Sequence, residues 1–306
     1  MANGSIKIGL SIAAAISLAA CGPVARKDGI QTFESAYNSI LIQKKDSVVE
    51  MRFRRRGAEY LESAIDLRRP LDLIVPYTRT FFVGVFFQPH PNRVLLIGLG
   101  GGGFNRLFNA AFPSAVLDSV ELDPKIVELA KSEMDFHETP SNRVTVSDGR
   151  IFLKRNSATY DWIILDAFRG GYVPSHLKTQ EFYTLVRTHM TENGILLANL
   201  HGGTALFPSD VVTLRTAFSK VSFFCTKPSG NVIAVATQSA TLDLESRVRE
   251  FEPRLANAVL REHLDLEELK RQACLIAPET GAQVLTDDFS PAEYLDAISR
   301  ENRPKY

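Results

Sequence analysis

Three acidic residues stand where short apolar runs end: Glu121 in "SVELDP", Asp148 after "RVTVS" and Asp166 closing "DWIILD". A fourth run, "RVLLIG" from Arg93, opens instead into five glycines within six positions: Gly98, Gly100, Gly101, Gly102 and Gly103. Glycine loses more chain entropy on folding than any other residue. Either a ligand comes close to that backbone, or the chain turns where a Cβ cannot follow. A carboxylate about 20 residues beyond such a turn is placed to accept hydrogen bonds from a ribose hydroxyl pair, and Glu121 has that spacing. Asp148, followed by Gly149, adds an acceptor for ligand N–H groups, and Asp166 is a candidate proton acceptor. His176 in "VPSHL" and His201 in "NLHG" follow later runs as further candidate bases, although a loop histidine is commonly just solvated.

These side chains act together only on a scaffold that gathers the run ends. From Arg93 onward the chain alternates apolar strands at 94–97, 115–121, 144–147, 162–166 and 195–199 with helices at 104–112, 124–134, 151–156 and 179–190. Pro124 suits a first helical turn, and Asn193-Gly194 supplies a turn before the fifth strand. The alternation predicts an α/β fold with a doubly wound parallel sheet, whose ligands lie outside the carboxyl ends of the strands. "VSFFCT" and "NVIAVAT" read as a terminal antiparallel hairpin, and the chain after Leu242 as helical and charged. Upstream, "SILIQKKDSVVEMRFRRR" alternates in the manner of hairpin strands, and 77–87 reads as an apolar helix. Within this frame Gly98, Gly100, Gly102 and Gly149 let backbone approach a ligand, and the following helix N-terminus offers N–H groups. Gly98 to Gly103 also satisfies G-x-G-x-x-G, so a nicotinamide dinucleotide is a rival. The acids ending the third and fourth strands occupy the space its second half needs, and favour an S-adenosyl-type ligand.

The chain resembles the spermidine synthase-like proteins, the polyamine aminopropyltransferases, from about 33 to 295. The stretches that carry the resemblance are "FESAYNSI", "RVLLIGLGGGG", "VELDPKIVELA", "RVTVSDGRIFL", "YDWIILDAF", "HLKTQEFY" and "LTDDFSPAEYL". The resemblance implies a Rossmann-like, class I S-adenosylmethionine-dependent methyltransferase-type sheet at 91–300, behind a small N-terminal β-hairpin domain at 30–90. It implies decarboxylated S-adenosylmethionine, or S-adenosylmethionine, as co-substrate, with no metal. Glu121 would bind ribose, Asp148 adenine, and Asp166 would be catalytic beside the reacting amine. Tyr37, Asn38, Tyr77, Arg79 and Arg169 fall on the acceptor side.

The sequence departs from the family on that side. The aspartate of "GGGDGG" is Gly101, the second acid of D-x-x-D is Arg169, the "YHE" acid aligns with Arg79, and the hairpin glutamine position is Asn38. A guanidinium in place of a carboxylate about 5 Å from a polyamine ammonium turns roughly 3 kcal/mol of attraction into similar repulsion at an effective dielectric near 20. The sequence alone therefore predicts an acceptor carrying carboxylate or phosphate. Two alternatives to aminopropyl transfer are a methyltransferase and a non-catalytic adenosyl-binding lipoprotein. Ser290, Pro291 and Glu293 form a capping-box pattern, while Asp287 and Asp288 have no role legible in the sequence.

Lys+Arg at 35 balance Asp+Glu at 35, so no global field favours nucleic acid. Residues 1–20 read as a leader: Lys7 precedes an uncharged apolar run at 8–20, of signal-peptide rather than membrane-span length. The run ends in "LAAC", which resembles the bacterial lipobox, with Cys21 lipidated. A membrane-anchored lipoprotein is the expected location, with the cytoplasm as alternative. Expected partners are a small-molecule acceptor and the membrane through Cys21, with a homo-oligomer left open. Cys225 and Cys274 are too few for a disulfide framework, and neither has metal-ligand spacing.

Overall fold

The computed structural model describes residues 28–289 apart from 56, 169–171, 228 and 278–280. The leader, Cys21, Arg169 and the capping-box residues Ser290, Pro291 and Glu293 lie outside the described residues. The chain first forms an antiparallel sheet of β1 (Gly29–Glu34), β2 (Ser39–Lys45), β3 (Val48–Arg55) and β4 (Ala58–Asp66), paired in that order. The larger sheet contains β5 (Arg93–Ile97), β6 (Val116–Glu121), β7 (Asn142–Val146), β8 (Tyr160–Leu165), β9 (Met190–His201), β10 (Lys220–Cys225), β11 (Asn231–Thr237) and β12 (Ala273–Cys274). Their spatial order is β12-β10-β11-β9-β8-β5-β6-β7. The five strands from β7 to β9 run parallel, whereas β11 enters antiparallel between β9 and β10.

The parallel strands are apolar because both faces are covered. On one face Val94, Leu96, Trp162 and Ile164 meet Phe81, Phe82, Phe86 and Phe87; on the other, Leu95, Ile97, Ile163 and Leu165 meet Leu153, Phe182 and Tyr183. Residues 76–87 form helical turns (Pro76–Thr80, Phe81–Val83 and Gly84–Phe87) that belong to this core. A Cβ at Gly84 would stand 2.8 Å from the Trp162 indole, so the turn lies directly on that ring. The N-terminal sheet packs Ile40, Ile42, Met51 and Phe53 onto Ile126, Leu129 and Met134, in and just beyond helix Pro124–Glu133. That contact holds it over the carboxyl end of β6.

One expectation requires correction, and one pairing goes beyond what the sequence showed. The turn at Asn193-Gly194 does not precede the fifth strand but lies inside β9: Tyr160 pairs with Met190, and Trp162 next with Ile195. The extra residues bulge out, and a Cβ on Gly194 would come within 2.9 Å of the Tyr160 carbonyl oxygen. Cys225 and Cys274, too few for a disulfide framework, do form one disulfide, across 49 positions. Pairing of β12 with β10 places Cys274 opposite Phe223, beside Cys225, a proximity that spacing cannot reveal. In the chain-entropy model such a closure stabilises by about 4 kcal/mol.

Candidate active site

Chain reversal on either side of β5 opens a crevice at the carboxyl ends of the parallel strands, and the N-terminal sheet covers it. The result is a cavity of about 80 Å³. Gly98 and Gly100 line it after β5, Glu121 at the end of β6, Asp148 and Gly149 after β7 and Asp166 after β8; Tyr37, Asn38, Glu62 and Tyr77 contribute from above. Most sequence-predicted site residues thus meet in one place.

Glu121 is held by backbone: its Oε2 accepts from Leu99 N and its Oε1 from Asp123 N, both at 3.0 Å. Burial raises its pKa, opposed by those two N–H groups. Each carboxylate oxygen retains a lone pair for a ligand hydroxyl. Asp148 is the N-cap of helix Gly149–Arg155, with Oδ1 accepting from Ile151 N at 2.9 Å, while Oδ2 lies 2.7 Å from His176 Nε2. Burial works against its ionisation, but the His176 and Ile151 hydrogen bonds prevail and hold its pKa below the usual range.

Asp166 is surrounded by protein yet open to the cavity. Burial pushes its pKa up to about 6, against hydrogen bonds from Asn199 and Tyr77 that favour the carboxylate. Asn199 Nδ2 donates to Asp166 Oδ1 at 2.9 Å, and Asn231 Nδ2 donates to Asn199 Oδ1 at 3.0 Å. The Tyr77 phenol is pushed well above its ordinary range, by burial first and then by the Asp166 and Glu62 charges. It therefore stays a neutral donor to Asp166. A carboxylate with a pKa near 6 and a fixed orientation is equipped to take a proton near neutral pH.

Several residues stand elsewhere than the sequence suggested. Gly102 does not line the cavity; it caps helix Gly103–Ala111 at φ +71°, and a Cβ there would lie 2.3 Å from the Phe136 ring. Gly98 does line it, but at φ +102° it also leaves room for the Asp166 carbonyl oxygen, which would lie 2.2 Å from a Cβ at this position. Its glycine serves the turn as well as any ligand. Asn38 spends its amide on Asp123 Oδ2 at 3.0 Å, which fastens the β1–β2 turn to the end of β6. His201 is buried at the end of β9, away from the cavity, with Nδ1 accepting from Gly203 N.

Arg79 is the main correction. It is exposed, absent from the cavity wall, and its Nε donates to the Leu73 carbonyl at 2.6 Å. Alignment with "YHE" assigned it a place in the site, but the short helix Pro76–Thr80 turns Tyr77 inward and Arg79 outward. Among the described residues no lysine or arginine lines the cavity, whereas Glu62, Glu121, Asp123, Asp148 and Asp166 do. The predicted repulsion of a cationic acceptor therefore has no source in Arg79, and the described wall is anionic.

Sequence reading missed Asn199, Glu62 and the role of Asp287. Asn199 is a buried polar residue in an otherwise apolar strand, "ILLANL", which is a usable signal. Asp287 accepts a bidentate pair from Arg150 at 2.7 and 2.6 Å and a bond from Thr179 Oγ1, pinning the C-terminal segment beside the helix that Asp148 caps. Among the described residues no group of three or more His, Cys, Asp or Glu is arranged to hold a metal ion.

A family model described as spermine/spermidine synthase domain matches residues 79–239. A polyamine aminopropyltransferase of Vibrio vulnificus is 29% identical over 269 residues, covering 86% of this chain and 89% of its own. The crystal structure of a probable spermidine synthase from Corynebacterium glutamicum superposes with TM-score 0.64 at 22% identity, covering 87% of this chain and 99% of its own. Human methyltransferase-like protein 13, solved in complex with SAH, superposes with TM-score 0.54 at 20% identity over 67% of this chain and 97% of its own. The fold is thus shared with spermidine synthases and with a methyltransferase.

Proposed function

The chain belongs to the spermine/spermidine synthase domain family, a transferase family by its relatives, and from that premise we propose that it transfers an aminopropyl group from decarboxylated S-adenosylmethionine to a cationic amine. Glu121 accepts from the ribose hydroxyls, and Asp148 accepts from the adenine amino group. The acceptor nitrogen attacks the methylene carbon attached to sulfur; the N–C bond forms as the C–S bond breaks, and neutral methylthioadenosine leaves. The proton lost by the amine passes to Asp166. Holding the amine in line with the departing sulfur supplies the positional part of the rate enhancement, and the Asp166 charge balances the positive charge developing on nitrogen.

The observation that carries this reading is the pairing of an Asp166 carboxylate near pKa 6 with a wall whose described charged residues are all acidic. A cation is the ligand such a wall favours. The test supplies purified protein with putrescine and either donor. Spermidine formed from decarboxylated S-adenosylmethionine supports the proposal. A methylated product from S-adenosylmethionine would establish methyl transfer instead, and turnover of neither would leave an adenosyl-binding protein.

For location, we propose export and lipid anchoring at Cys21. The Cys225–Cys274 disulfide supports this, because such bonds persist in oxidising compartments and are rare in the cytosol. Mass spectrometry of the natively expressed chain should find a lipidated N-terminus at Cys21 and no alkylation of Cys225 or Cys274 before reduction. An N-terminus upstream of Cys21 with both thiols alkylated would place the chain in the cytoplasm.

A further inference from the structure

One acid of the cavity wall comes from the covering sheet and not from a strand end. In the pairing of β3 with β4, Met51 faces Ser63 and Arg52 faces Leu61. Glu62 is therefore the extra residue of a β-bulge. Bulges release one residue from the strict alternation of strand side chains and re-aim it, and they concentrate beside active sites. Here the released residue lines the cavity, and its Oε1 is withdrawn from solvent. Its charge acts on the Tyr77 hydroxyl, the same hydroxyl that donates to Asp166. Glu62 thus lines the cavity near the Tyr77 hydroxyl, at the end where Asp166 lies.

The neighbouring glycine turn explains why an acid would be wanted there. Ser63 lies against the turn: a Cβ at Gly100 would be 3.5 Å from Ser63 Cβ, and one at Gly101 2.8 Å from Ser63 Oγ and 2.6 Å from the Met134 thioether. The space over Gly101, where the family's loop carries its aspartate, is taken by Ser63 and Met134. Asp166 is committed to the proton of the attacking amine. The donor's own ammonium, three carbons from the sulfur, still needs a carboxylate.

We propose that Glu62, on the bulge of β4, anchors the terminal ammonium of the donor's aminopropyl chain. The assignment rests on the aminopropyl reading above.

Calorimetry with two neutral thioethers separates the two proposals: 5′-methylthioadenosine, and 5′-(3-aminopropylthio)adenosine, which carries the ammonium. The wild-type chain should bind the amine roughly 10- to 100-fold more tightly, as for a hydrogen bond to a charged group. Glu62→Gln should abolish that advantage while leaving methylthioadenosine affinity within about twofold, which also shows that the variant is folded. Glu62→Asp, which keeps the charge on a shorter arm, should retain part of the advantage and so stands in if the glutamine variant does not fold. An advantage that survives Glu62→Gln, or that is lost entirely in a folded Glu62→Asp, overturns the Glu62 assignment alone. A wild-type chain that binds neither thioether overturns the adenosyl reading as well.

Discussion

The floor of the cavity and its roof hold acids by different means. On the floor, Glu121, Asp148 and Asp166 sit at or just beyond the ends of β6, β7 and β8, and each is fixed by backbone or buried side-chain hydrogen bonds. In the roof, Tyr37 and Asn38 lie in a turn, Glu62 on a bulge and Tyr77 on a five-residue helix. Parallel topology brings strand ends together whatever the loops do. Roof residues depend on a register irregularity and on one sheet packing over another. On the function proposed above, the floor binds what every adenosyl donor shares and supplies the base, while the roof contributes the remaining contacts to the transferred group and its acceptor.

Removing the floor's reactive group should have the largest effect. Asp166→Asn is expected to lower kcat by about 10²- to 10⁴-fold, the usual contribution of a positioned base. Wild-type kcat should rise with pH through about 6, as Asp166 loses its proton, and the residual activity of the variant should lack that limb. Stability should move in the opposite sense. The folded-state pKa is raised, so the contribution of Asp166 is fully present below the ordinary carboxylate range and is lost as pH rises through about 6. Between pH 4.5 and 7.5 the wild type should lose about 2 kcal/mol relative to the asparagine variant, which does not titrate. Denaturant titrations at pH 4.5 and 7.5 check this; an unchanged difference between the two proteins would mean that burying Asp166 carries no such strain.

The same contrast explains what was legible in the sequence. Glycine turn, Glu121, Asp148 and Asp166 could be read because apolar runs announce strands, and a residue just past a strand end has a known place. The alternating segment before position 55 announced β2 and β3. Glu62 was not legible: alternation in "AEYLESAID" does break around Leu61-Glu62-Ser63, but a break alone does not say which residue bulges out or what it then lines. Arg79 was misplaced because alignment fixes position along the chain but not the side of a short helix that meets the cavity. Cys225 and Cys274 were beyond reach for a related reason: a two-residue strand pairs them across the sheet edge. Local pattern predicts elements, whereas bulges, helix faces and edge pairings are decided by contacts distant in sequence.

A second change on the floor should act on binding without touching the chemistry. Glu121→Ala removes the acceptor that Leu99 N and Asp123 N hold in place. Methylthioadenosine affinity should fall by about 1–3 kcal/mol, as for a lost hydrogen bond to a charged group, measured by calorimetry. Equal affinity in wild type and variant would detach Glu121 from the ribose and weaken the equation of strand-end acids with donor binding.

The smallest expected effect lies at the roof's edge, and there sequence and structure disagree outright. Were Arg79 about 5 Å from an acceptor ammonium, its removal would relieve roughly 3 kcal/mol of repulsion, an improvement in putrescine KM of more than about 100-fold. In the structure Arg79 is exposed and spends its Nε on the Leu73 carbonyl, just before the helix that carries Tyr77. Its removal should then leave putrescine KM within about twofold, at a cost to stability of about 0.5–1.5 kcal/mol for one hydrogen bond. Steady-state kinetics on Arg79→Ala, with thermal melting alongside, tell these apart. A large fall in KM would bring Arg79 back into the site and the anionic-acceptor expectation with it. An unchanged KM with a lowered Tm would leave the described acids of the wall, Glu62 and Asp166 foremost, as the groups an incoming amine meets.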